Sequence, residues 1–170
     1  MSRISRLQQK FEQLYIDAFL VTDQKNIYYL TGFNLLQGDG CLLVTPQNAI
    51  IITDERYQLA LEEFESDEVV ATISRDYYGS VNKICEGLNL TVLGYEDTIS
   101  YHLFDAFDEL MTSDIVPFHH LIEKMRLVKD STEINKLRAA AELQSAGYDY
   151  FLSIVHPGIT ERELAIKLDY

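Results

Sequence analysis

Residues 69–118 read VVATISRDYYGSVNKICEGLNLTVLGYEDTISYHLFDAFDELMTSDIVPF, and their periodicity decides the fold class. Val69 to Ile73 is a short run rich in β-branched residues, which predicts a strand. Val81, Ile84, Cys85 and Leu88 then recur at helical spacing. Thr91 to Tyr95 reads as a second strand. Leu103, Phe104, Phe107, Leu110 and Met111 form another helical stripe, with Ser100 placed to cap it. Ile115 to Phe118 closes the stretch as a third strand. Strands alternating with helices make an α/β layer structure, three layers deep, with helices on both faces of one sheet.

Upstream, the pattern adds a hairpin. Cys41–Val44 and Ala49–Ile52 are apolar runs flanking Thr45-Pro46-Gln47-Asn48, a turn by composition, so the sheet is mixed rather than all parallel. Ile4, Leu7, Phe11 and Leu14 share one helical face at the start of the chain. Ala18 to Val21 reads as a buried strand. Lys25 to Leu30 is a short helix ended by Thr31-Gly32, and Tyr57, Ala60, Leu61 and Phe64 are a further stripe.

After Phe118 the character changes. Asp130 to Val155 predicts one long helix, opened by a capping box of Asp130 and Glu133 and stopped by Pro157-Gly158. Thr160 and Glu163 open a second helix by the same logic, still running at Tyr170, with Leu164 and Leu168 on a face that needs a partner. The expectation is one domain over 1–126. Residues 127–170 are expected to be a linker and the first helices of an incomplete second domain, whose apolar face drives self-association.

The 170 residues are 47% hydrophobic, which excludes a disordered chain and allows a real core. A net charge of −13 argues against nucleic acid and anionic membranes as partners. Cys41 and Cys85 each sit in an apolar run and read as buried thiols. Met1 to Lys10 is polar and basic, unlike a signal peptide, and the apolar runs fall far short of the ~20 residues that span a bilayer. A cytoplasmic protein is expected.

Catalytic motifs are missing from the residue pattern. Asp97, Asp108, His119, His120, Glu123 and Glu133 are metal-ligand types, but Asp108 and Glu123 lie in helical settings where charges are usually solvated. The sequence has no HExxH, CxxC, GxSxG, GxGxxG or GxxxxGK[ST]. His102, His119, His120 and His156 read as surface or hydrogen-bonded side chains. The most suggestive feature is the loop Gly32-Phe33-Asn34-Leu35-Leu36-Gln37-Gly38-Asp39-Gly40. Its apolar residues either tuck back onto the core or touch a partner or substrate.

Several segments resemble one family in order and spacing. Asp17 to Asp23 followed by Asn26 to Phe33 is similar to the opening signature of the creatinase/prolidase/aminopeptidase P N-terminal domain. Thr53-Asp54-Glu55-Arg56-Tyr57 and Gly94-Tyr95-Glu96-Asp97 resemble its next motifs. Glu123-Lys124-Met125-Arg126, with Lys129-Asp130 and Glu133-Ile134, resembles its linker, and Val155 to Glu161 the segment after it. The resemblance implies a two-domain parent. Its N-terminal half is a mixed six-stranded α/β/α sheet of ribonuclease H-like type. Its C-terminal half is a pita-bread domain holding two divalent metal ions (Mn, Co or Zn), with no catalytic residue and no metal ligand in this chain.

The implied activity is hydrolysis of X-Pro bonds in proline-containing peptides by a homodimer or higher homo-oligomer, with this chain alone inactive. The implied role for the loop is substrate gating, with Phe33, Asn34, Gln37 and Asp39 as candidates. Arg56, Tyr57 and Glu96 match family motifs; for Arg56 and Glu96 a structural ion pair or a helix-start hydrogen bond is an equal reading. A creatinase-like amidinohydrolase and a non-catalytic interaction module share the same signature.

Overall fold

The structure is a computed structural model describing residues 1–169, and the chain forms two compact units, Met1–Arg126 and a second from Leu127 onward. In the first, α1 (Arg3–Gln8), α2 (Phe11–Leu14), β1 (Ala18–Val21) and α3 (Gln24–Thr31) precede the hairpin β2 (Gly40–Val44) and β3 (Ala49–Thr53). A short 3-10 turn and α4 (Gln58–Glu62) lead to β4 (Val69–Ile73), α5 (Tyr77–Leu88), β5 (Val92–Glu96), α6 (Tyr101–Leu110), β6 (Asp114–Phe118) and α7 (Leu121–Leu127). The six strands form one sheet in the order β4-β3-β2-β1-β5-β6. β2 is antiparallel to β1 and β3, while β1/β5, β3/β4 and β5/β6 pair in parallel. Five strands therefore share one direction and β2 opposes them, the mixed α/β sheet that the alternation and the hairpin predict.

Side chains alternate across the pleat and build two cores. Phe19, Val21, Leu42, Val44 and Ile51 pack on one face with Ile4 and Leu7 of α1, Ile27 and Leu30 of α3, and Ile122 of α7. Ala18, Leu20, Cys41, Leu43, Ile50, Ile52 and Leu93 face the other way, against Val81 and Cys85 of α5 and Phe107 of α6. Both cysteines are free and buried.

The centre of the sheet depends on one glycine. Gly94 pairs with Phe19 on one side and Val116 on the other. A Cβ there would lie 2.7 Å from Phe19 Cδ2, 2.9 Å from Ile16 Cδ1 and 3.1 Å from Phe118 Cε2. The Phe19 and Phe118 rings use that gap to meet edge to face, 5.8 Å between centroids. Pro117 sits in β6, an outer strand, where a missing N–H costs no ladder bond to a further strand.

Some expectations change. The opening helix is two pieces, because Lys10 N–H bonds Leu7 O across a tight step and Tyr15 ends α2 in the left-handed region. In α6 Phe107 is the buried residue, and Leu103 and Leu110 are about two-fifths exposed at 42% and 41%. In the second unit, α8 (Ser131–Ile154) and α9 (Glu161–Asp169) follow the predicted boundaries, and the Asp130–Glu133 capping box is formed. No residue of α8 or α9 is buried, so Leu137, Tyr148, Leu152 and Leu168 stay exposed.

Candidate functional site

The carboxyl ends of β1, β3, β4 and β5 and the start of β2 meet at one edge of the sheet. From β1 the chain continues outward through β2, whereas β5 lies on its other side, so the strand order reverses at the β1/β5 seam. Open α/β sheets bind ligands outside such a seam. Here the last residue of β5, Glu96, fills it. One carboxylate oxygen, Oε2, accepts from Thr22 N at 2.6 Å and Asp23 N at 2.8 Å, and Oε1 accepts from Asn26 Nδ2 at 2.7 Å. The fully buried Asn26 also donates to Glu123 Oε1 at 2.6 Å and accepts from Arg126 Nη1 at 3.0 Å. Glu96 thus takes the place that an anion would occupy near the start of α3, whose N-cap is Asp23. Burial raises its pKa above the usual Glu value although these donors pull the other way.

A second cluster fixes the 32–40 loop. Arg56 Nη2 reaches Asp39 Oδ1 at 2.8 Å and Asp54 Oδ2 at 2.7 Å. Tyr57 OH donates to Asp39 Oδ2 at 2.7 Å, and Tyr77 OH donates to Asp54 Oδ2 at 2.9 Å. Gln37 bridges back to the β1 end, accepting from Gln24 N and donating to Thr22 O. Gly40 closes the loop at φ +152, where a Cβ would collide with the backbone carbonyl of Ile52. Between this loop and the starts of α5 and α6 lies a cavity of about 450 Å³.

The expected loop residues separate into two groups. Gln37 and Asp39 are pinned by the bonds just given, and Asn34 is exposed. Phe33 is not at the surface: it is buried against Tyr57 and Phe64, with ring centroids 6.1 and 5.2 Å away. Its apolar ring gains more from the core than from solvent, so it anchors the loop rather than lining it. Leu35 is also buried, whereas Leu36 is exposed. Arg56 sits in an ion pair and Glu96 makes hydrogen bonds beside a helix start.

The Arg56 hydrogen bond, opposed by burial, holds the Asp54 carboxyl well below its ordinary value of 3.8. The Tyr57 and Arg56 hydrogen bonds lower Asp39. A depressed folded pKa contributes stability above the unfolded value that is lost as pH falls through the folded one. Stability should therefore drop as pH falls below 3.8, and Asp54→Asn should flatten that acid limb. Urea midpoints measured between pH 5 and pH 2 give the comparison; identical slopes for both proteins would refute it. Glu96 runs the opposite way, its raised pKa favouring the fold below the ordinary 4.5 and losing that contribution as pH rises.

His119 Nδ1 meets Asp97 Oδ2 at 2.7 Å, and the His119 and His120 ring centroids lie 3.8 Å apart with the rings tilted by 47°, all toward the surface. Among the described residues no group of three or more His, Cys, Asp or Glu is placed to hold a metal ion.

The Creatinase/Prolidase N-terminal domain profile matches residues 3–128. The chain belongs to that family. It is 28% identical to an uncharacterized peptidase of Bacillus subtilis, YqhT, over 99% of this chain and 48% of that protein. It is 26% identical to the Xaa-Pro dipeptidase of Pyrococcus furiosus over 99% of this chain and 47% of that protein. Among solved structures, an Xaa-Pro dipeptidase from Bacillus anthracis superposes with a TM-score of 0.82 at 31% identity, over 97% of this chain and 46% of that one. An X-Pro aminopeptidase from Thermotoga maritima gives 0.82 at 25% identity, over 100% and 48%. The chain spans about half the length of the curated relatives it matches.

Within this creatinase-type domain, the sequence motifs prove to be parts of two networks. Asn26, Glu123 and Arg126 carry the family resemblance, yet their meeting at Asn26, which in turn holds Glu96, is not legible in the sequence, since they stand up to 100 positions apart. Asp54 had a local signal, because an Asp two residues before Arg56 can take its backbone N–H, as it does at 3.0 Å. Tyr77 and Tyr78 carry no motif in the sequence, where they simply precede the Val81–Leu88 stripe. No helix among the described residues is long and apolar enough to cross a membrane.

Proposed function

We propose that this chain is the N-terminal half of a metal-dependent Xaa-Pro peptidase and that it shapes access to a catalytic centre built from residues beyond it. The observation that carries the reading is the likeness to the Bacillus anthracis Xaa-Pro dipeptidase along 97% of this chain but 46% of that one. In this reading two divalent metal ions, of manganese, cobalt or zinc, belong to the other half; the residues described here do not fit them. The parent is a cytoplasmic homodimer or larger homo-oligomer, in which the Asn34–Asp39 rim borders a neighbouring subunit's cleft. A pinned loop restricts substrates by shape, and the Arg56 bonds to Asp39 and Asp54 supply the pinning.

The test is Mn²⁺-dependent cleavage of X-Pro dipeptides and longer X-Pro peptides by this chain and by a longer protein containing it. Cleavage by the longer protein and none by the chain is expected. Hydrolysis by the purified chain, or by neither, overturns the proposal; in the latter case amidinohydrolase and interaction-module functions take its place.

A further inference from the structure

We propose that the cavity between the 37–40 loop and the starts of α5 and α6 binds a neutral peptide segment carrying one apolar side chain. Its volume, about 450 Å³, falls in the range of roughly 300–1,000 Å³ typical of small-molecule sites. Ile99, Leu103 and the Tyr78 ring give it an apolar wall, while Thr22, Gln37 and Thr98 bring polar groups to the same space. Apolar walls with few convergent polar groups are what an amphipathic, uncharged ligand needs.

The electrostatics narrow the class. None of the lining residues is Lys, Arg or His, so a carboxylate or phosphate finds no counter-ion. The one lining carboxylate, Asp23, already spends Oδ1 on capping α3 through Lys25 N and Asn26 N, and its charge sits against that helix start. A backbone amide, by contrast, finds an idle partner. Tyr78 lines the cavity and its hydroxyl has no hydrogen bond among the described residues, whereas Tyr77 beside it is committed to Asp54. That hydroxyl is not among the buried polar atoms left without a partner, so it is open to solvent and can exchange water for a ligand carbonyl or amide. The choice of a peptide among neutral amphiphiles rests on the peptidase reading; the cavity and its charge do not.

The probe is N-acetyl-leucyl-proline amide, titrated into the ¹⁵N-labelled 170-residue chain and followed by amide chemical shifts. Saturable shifts confined to Thr22, Gly38–Gly40, Tyr77–Tyr78 and Thr98–Leu103 are expected. Leu103→Trp, which fills the cavity from a partly exposed position, should weaken binding at least about tenfold, and Tyr78→Phe about fivefold through the lost hydrogen bond. N-acetyl-leucyl-proline with a free carboxylate should bind more weakly than the amide. Shifts elsewhere, binding indifferent to both variants, or an anionic peptide that binds as well as the neutral one would overturn the proposal. Since binding is read on a chain expected to have no hydrolase activity, this failure is separable from a failed hydrolysis test on the longer protein.

Discussion

Replacing Asn26 with leucine is expected to lower the stability of the first unit by about 3 kcal/mol, the scale set by stranding buried charged groups. Asn26 is fully buried, and its one amide serves three charged partners: Glu96 at 2.7 Å, Glu123 at 2.6 Å and Arg126 at 3.0 Å. Leucine fills the same space, so packing is nearly kept and the loss is electrostatic. Two carboxylates lose a donor and a guanidinium loses its acceptor; water can reach the partly exposed Glu123 and Arg126, so the loss falls mainly on the buried Glu96. Asn26→Asp should be worse near neutral pH, since it sets a third carboxylate against Glu96 and Glu123. A lower urea midpoint at unchanged slope is the signature to look for. A leucine variant within ~0.5 kcal/mol of the parent, the usual scatter of surface changes, would show that the network carries little.

Gly94→Val should cost about 3 kcal/mol, near the upper end for overpacking a core. A Cβ alone would crowd Phe19, Ile16 and Phe118 inside ordinary contact distances, and valine adds two methyl groups. Phe19 is fully buried, so its ring has nowhere to retreat. Phe118 stands on an outer strand and is less confined. Removing its ring with Phe118→Ala should therefore recover part of the loss, making the double variant less damaged than the sum of the singles. Thermal unfolding of the four proteins completes the cycle. Strict additivity would mean that the damage lies in the strand backbone rather than in the ring contact.

These two sites mark the boundary of what the sequence discloses. The alternation of apolar runs with helical stripes between Val69 and Phe118 contains the sheet and its covering helices, because periodicity is a local property of the chain. The Thr45–Asn48 turn likewise identifies the hairpin within a few residues. Gly94 looks like any glycine until its neighbours Phe19 and Phe118 are known, and those contacts are long range. The same holds for the candidate site. Asp39, Arg56 and Tyr57 stand out through family motifs. Tyr77, which bonds Asp54 from 23 positions away, joins the cluster only when the end of β3 and the start of α5 meet in space. Phe33 shows the limit from the other side: an aromatic residue in a loop can face either way, and the core claims it here.

The reversal of strand order at the β1/β5 seam also sets a timetable. β2 and β3 are joined by a four-residue turn and can pair soon after both exist. β1 pairs with β2 early on one side, but its other side waits for β5, and the Phe19–Gly94 match spans 94 − 19 = 75 positions. Closing so long a loop is slow, and non-local parallel pairing is the part of a fold that forms late. On a ribosome the middle of this sheet is thus an open edge for most of the domain's synthesis, and Glu96, the residue that seals it, is added at the end of the very strand that closes it.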